Sequence, residues 1–128
     1  MSLTPAQIAQ RLGERFGGKI LETNLEAVDP FVRVEPAAIA DVALFCRDQL
    51  GFNYLACLSG VDYMDKKKTT TDLGVVYHLQ AIPDAKLRFC LKVRLTRENP
   101  SLPTVENIWR TADWHEREAW DMFGIVFE

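Results

Sequence analysis

The chain has 128 residues, of which 48% are hydrophobic and 26% charged, and its formal net charge is −3. That length suits one domain burying about two-thirds of its unfolded surface, and the composition is that of a globule rather than a disordered chain. The mild acidity excludes a generic nucleic-acid binder. No apolar run approaches the roughly 20 residues of a membrane-spanning helix, and no basic-then-apolar export signal opens the chain.

The first predicted element is a helix with a complete start signal. Thr4 is its N-cap, Pro5 takes the first helical position, Gln7 closes a capping box, and Leu3 with Ile8 forms the hydrophobic staple. Ile8, Leu12 and Phe16 recur at helical spacing up to Gly17-Gly18. Strands are predicted over residues 19–28 and 31–35, parted by Asp29-Pro30, with Val32 and Val34 alternating against Arg33 and Glu35. Pro36 then opens a second helix with Ile39, Val42, Ala43, Cys46 and Leu50 on one stripe and Gly51 at its end. The strand over 54–63 is apolar on both faces (Leu55, Ala56, Cys57, Leu58), which predicts a central place in the sheet.

Residues 64–72, with Lys66-Lys67-Lys68, read as a solvated connection. A strand over 73–82 turns at Pro83-Asp84-Ala85 into the most regular one in the chain. There Leu87, Phe89, Leu91, Val93 and Leu95 alternate with Arg88, Cys90, Lys92 and Arg94. Asn99 to Pro103 breaks the chain, and a short helix is predicted from Pro103-Thr104 to Trp109. The order predicts one α+β domain over residues 1–128, a two-layer arrangement of a mixed sheet of about five strands covered by helices.

Chemistry-bearing residues are few. Cys46, Cys57 and Cys90 are widely spaced, so they form neither a disulfide framework nor a C-x-x-C motif and read as small buried hydrophobes. The histidines are His78 and His115. His115-Glu116 begins like H-E-x-x-H, but Ala119 stands where the second histidine belongs. A metal-free chain is expected.

The segment from Asp113 to Gly124 stands out. Asp113 as N-cap, Glu116 three residues on and Gly124 as C-cap bound a helix of about nine residues. On its wheel Trp114, Arg117, Glu118 and Asp121 share one side, with Arg117 and Asp121 spaced i, i+4, while Ala119, Trp120 and Phe123 lie across from them. Such a helix is either sandwiched inside the fold or presents a face to another subunit. Glu116, Glu118 and Asp121 could serve acid–base chemistry in a free-standing hydrolase. No nucleophile or ligand set accompanies them, so an ion-pair lattice around Arg117 is favoured.

The run Glu116-Arg117-Glu118-x-x-Asp121-Met122-Phe123-Gly124 resembles the signature of the 30 kDa-type C subunit of respiratory complex I, the proton-pumping NADH:quinone oxidoreductase. Gly60-Val61-Asp62-Tyr63 resembles that family's strand-ending segment, and Pro103-Thr104-Val105 through Ile108-Trp109 resembles its approach to the signature helix. The resemblance implies a structural subunit with no active site and no cofactor of its own. NADH, flavin, iron–sulfur clusters and quinone would be held only in the assembled complex. The implied partners are other hydrophilic-arm subunits, above all the large quinone-site subunit, with no nucleic acid and no direct membrane span. The implied location is peripheral, on the cytoplasmic side of a bacterial-type inner membrane.

Trp114, Glu116, Arg117, Glu118, Asp121, Met122, Phe123 and Gly124 are then the expected subunit interface. Equivalent subunits of membrane-bound hydrogenase, F420H2 and ferredoxin-driven complexes are the alternative. The family's signature continues into a segment with a His or Lys and an Arg and then a tail, which is expected to be absent from a chain ending at Glu128.

Overall fold

The first helix, α1 (Pro5–Phe16), starts as its sequence dictates: Thr4 Oγ1 accepts from the Gln7 amide and Gln7 Oε1 accepts from the Thr4 amide. Gly17 ends it at φ 56°, a conformation that suits glycine. The computed structural model describes residues 4–26, 29–62, 72–81, 88–96 and 98–128. The expectations for Leu3, the lysine triplet, the turn at Pro83, Leu87 and Tyr63 lie outside the described residues.

Strands β1 (Ile20–Asn24) and β2 (Phe31–Val34) pair antiparallel. Pro36 opens a single 3-10 turn, Pro36–Ala38, and α2 (Ile39–Gln49) follows. Ile39, Val42, Ala43, Cys46 and Leu50 are all buried, as their spacing predicts, and Gly51 turns the chain at φ 82°. Phe16 meets Phe45 edge-to-face at 5.6 Å and joins the two helices. Next come β3 (Tyr54–Asp62), β4 (Leu73–Gln80) and β5 (Arg88–Leu95), and the five strands form one mixed sheet in the order β1-β2-β5-β4-β3.

Three details depart from the sequence expectation. β3 is an edge strand, not a central one, and the central place belongs to β5, parallel to β2 and antiparallel to β4. The apolar run in β3 has another cause. Its register slips between Leu55 and Cys57, so the bulged Ala56 breaks the alternation and both Leu55 and Leu58 reach the core. Residues 103–109 form turns instead of a helix, with the Ile108 and Trp109 amides both donating to the Val105 carbonyl. The third departure is a pair of two-residue strands, β6 (Ser101–Leu102) and β7 (Val126–Phe127), which run parallel and flank the last helix. Strands this short carry no readable alternation.

One hydrophobic cluster unites the layers. It takes Ile8 and Leu12 from α1, the α2 stripe, Val32, Val34, Leu55, Leu58, Val75, Tyr77, Leu91 and Val93 from the sheet, and Val105, Trp109 and Ile125 from the C-terminal region. The opposite sheet face carries Arg33, Lys92, Arg94 and His78. Three of its cations are engaged: Arg33 pairs with Glu22 at 3.3 Å, Arg94 with Asp72 at 3.5 Å, and Lys92 Nζ lies 3.8 Å from the Phe31 ring centroid, while Arg88 on the same face is exposed.

Candidate functional site

The last helix, α3 (Ala112–Phe123), begins earlier than Asp113 suggests, with Thr111 at its N-cap. Thr111 does not cap with its side chain. Its hydroxyl donates to the Leu55 carbonyl at 3.1 Å, while the Trp109 indole N–H donates to the Phe52 carbonyl at 3.0 Å. These two bonds, with Arg47 Nη1 donating to the Ile108 carbonyl at 3.2 Å, fix the approach to α3 against α2 and the start of β3.

Glu116 departs furthest from its predicted role. It neither closes a capping box with Asp113 nor joins an ion-pair lattice. Only 5% of its surface is exposed, and its carboxylate turns inward. Oε1 accepts from the Thr104 hydroxyl and Oε2 from the Val105 amide at 2.9 Å, while Thr104 Oγ1 accepts from the Glu106 amide at 3.1 Å. Glu116 is thus a strut between α3 and the preceding turn. Burial pushes its carboxyl above the ordinary range. The Thr104 and Val105 bonds oppose that shift, and the nearby Glu106 and Asp113 charges add to it.

The signature segment meets the other motif directly. A Cβ added at Gly60 would lie 2.5 Å from Phe123 Cδ2 and 3.4 Å from Ile125 Cδ1, so any side chain there would force the Phe123 ring at the end of α3 to shift. Gly124 stands in the left-handed region at φ 73°, its amide bonded to the Trp120 carbonyl, and releases the chain into β7. Val61 is half-buried and Asp62 exposed at the end of β3.

The inner stripe of α3 is Ala112, Glu116, Ala119 and Phe123. Outside it lie large apolar groups: Trp114 is 63% exposed, Trp120 57% and Met122 67%. The sandwich alternative therefore holds for Phe123, and the presented-face alternative for Trp114 and Trp120. Arg117 pairs with Asp113 at 3.6 Å, not with Asp121, and both partners are well exposed. Glu118 and Asp121 face solvent, away from Glu116, so the three carboxylates share no pocket. A groove of about 330 Å³ runs beside α3, lined by Glu106, Asp113, Glu116, Arg117, Trp120, Val126 and Phe127.

A second cavity, of about 460 Å³, opens on the sheet beside the cross-strand row Cys57, His78 and Cys90. Cys90 Sγ lies 3.3 Å from His78 Nδ1. Burial pushes the Cys90 thiol up to about 11 and the Cys46 thiol up to about 12, so neither supplies a thiolate at neutral pH. Among the described residues no three His, Cys, Asp or Glu side chains are grouped to hold a metal ion. No described helix is long and apolar enough to cross a membrane.

Residues 32–128 match the family described as respiratory-chain NADH dehydrogenase, 30 kDa subunit. The chain belongs to this family. Its curated relatives include the C subunit of the NADH-quinone oxidoreductase of Chloroherpeton thalassium, 44% identical over 128 residues, covering 97% of this chain and 51% of the relative. The present member thus spans about half the length of that protein. A solved trypsin-resistant fragment (1–134) of Nqo5 superposes with a TM-score of 0.76 at 32% identity, covering 94% of this chain and 96% of the fragment. The membrane-bound sulfane sulfur reductase, an archaeal respiratory membrane complex, contains a chain alike in fold (TM-score 0.77, 23% identity, 96% of this chain and 69% of that one).

The sequence reading named Thr104 and Val105 only as part of a family-like motif, and did not place Glu106, Val126 and Phe127 at the site. Pro103-Thr104 reads as a helix start, and nothing local marks Val105 as the donor to a carboxylate eleven residues on.

Proposed function

We propose that this 30 kDa-family chain is a docking subunit, without a redox centre of its own, in the hydrophilic arm of a proton-pumping NADH:quinone oxidoreductase. It seats on the large quinone-site subunit, peripheral to the membrane on its cytoplasmic side. NADH, flavin, iron–sulfur clusters and quinone are held by the other subunits. The observation that carries the reading is the division of α3. One stripe is committed to the chain's own core, while Trp114, Trp120 and Met122 on the same short helix are left to solvent. A solitary protein gains nothing from three large exposed apolar groups, whereas a subunit buries them on assembly. The fold likeness to a chain of an archaeal sulfane sulfur reductase supports a second reading, the equivalent position in a related membrane complex.

The test is affinity purification of the tagged full-length gene product from solubilised membranes of its own host. The large quinone-site subunit and its hydrophilic-arm neighbours are the expected companions. Recovery of the tagged protein alone overturns the reading, and recovery with hydrogenase-type subunits selects the second one.

A further inference from the structure

The groove beside α3 has a composition more specific than an apolar patch. Glu106 on the turn and Asp113 on α3 present two carboxylates, with the buried Glu116 behind them, and among the described residues that line the groove the one cation is Arg117. Arg117 stands 3.6 Å from Asp113, and both side chains are more than half exposed, a pairing that screens little charge. The wall is completed by the Trp120 indole and by Val126 and Phe127 of β7. Each Glu116 oxygen accepts one hydrogen bond from within the chain, and a carboxylate has room for more.

We propose that this groove receives an arginine from a basic segment of the partner subunit, its guanidinium lying against Trp120 and pairing with the Glu106 and Asp113 carboxylates. The inference rests on the docking reading above and names the chemistry of the contact. Arginine suits the site better than lysine, because a planar guanidinium stacks on an indole while its edge donates in pairs to carboxylates. The Glu116 carboxyl is destabilised by burial and, beyond that, by the Glu106 and Asp113 charges, and an incoming cation relieves the second of these. A second copy of this chain is a poorer occupant, since Arg33, Arg94 and Lys92 on its sheet face already have Glu22, Asp72 and the Phe31 ring as partners.

Two experiments on the full-length protein in its host test the proposal. In the first, Trp120→p-benzoylphenylalanine is photolysed in assembled membranes and the cross-linked peptide is sequenced. A peptide of another subunit with an arginine beside the cross-link is expected. A peptide lacking arginine, one from a second copy, or one from elsewhere in this chain overturns the proposal.

In the second, the paired reversal Glu106→Lys with Asp113→Lys is compared with Trp120→Ala by co-purification, with thermal unfolding as the folding control. The reversal is expected to lower partner recovery by roughly tenfold or more. If it leaves recovery intact while Trp120→Ala abolishes it, docking stands and the arginine is overturned. If the wild type recovers no partner, the docking reading itself has failed. Should the reversal unfold the chain, the cross-link decides.

Discussion

A methyl group added at Gly60 meets the Phe123 ring at 2.5 Å, well inside van der Waals contact, and Ile125 at 3.4 Å closes the other side. Gly60→Ala should therefore destabilise the fold by about 1–3 kcal/mol through overpacking, read as a lower denaturant midpoint. An unchanged midpoint would mean that Phe123 moves aside at no cost. Tyr77 poses the reverse case. It is fully buried, and its hydroxyl has no hydrogen-bond partner among the described residues. Burial first, and then the Glu116 charge, holds its phenol well above the ordinary value, so it stays neutral. Deleting the hydroxyl in Tyr77→Phe should be neutral or stabilise by about 1 kcal/mol, and a loss of stability would reveal a bonded hydroxyl.

At the scale of the element, α3 is held by a strut rather than by a cap. Its N-terminus makes no side-chain cap bond, and Glu116 ties it to Thr104 and Val105. Because the folded-state carboxyl is raised, the folded chain binds more protons than the unfolded one between the ordinary and the raised value. The contribution of this group is thus fully present below the ordinary carboxylate range and declines as pH rises through the raised one.

Thermal unfolding of wild type and Glu116→Gln between about pH 4 and about pH 7 should show the wild type losing ground to the variant as pH rises. A difference independent of pH would contradict the raised carboxyl. The Arg117–Asp113 pair is exposed and contributes little, so Arg117→Ala should leave the midpoint within about 0.5 kcal/mol of wild type. If Arg117→Ala or Glu118→Ala unfolds the domain, those residues belong to an internal network and their docking role fails.

At the scale of the whole molecule, the domain has two unlike surfaces. The open sheet face pairs Arg33, Lys92 and Arg94 within the chain, whereas the α3 side leaves aromatic groups and negative charge exposed. Trp114→Ser with Trp120→Ser should therefore preserve the fold while sharply reducing recovery of the complex from membranes, as measured by co-purification alongside thermal unfolding. Unchanged recovery would sink the assignment of this face.

Much of this was legible in the residues. The capping box at Thr4, the buried stripe from Ile39 to Leu50, the alternation through β5 and the left-handed Gly124 all follow from rules spanning a few residues, where local geometry and apolar spacing decide. The signature from Glu116 to Gly124 also pointed to the family.

Other features depend on contacts distant in sequence. Strand order is one: a both-sided apolar run reads as central, yet β3 lies at the edge because a single bulge at Ala56 shifts its register. The fate of Glu116 is another, since its partners Thr104 and Val105 lie twelve and eleven residues away, beyond the reach of any rule for a single helix. The sequence by itself determined the three α-helices, the five strands of the main sheet and which family the chain resembles. Only the tertiary structure decided which carboxylate is buried, which aromatics remain outside, and what a side chain at Gly60 would meet. Burial and close approach are properties of distant segments meeting, and no local rule encodes them.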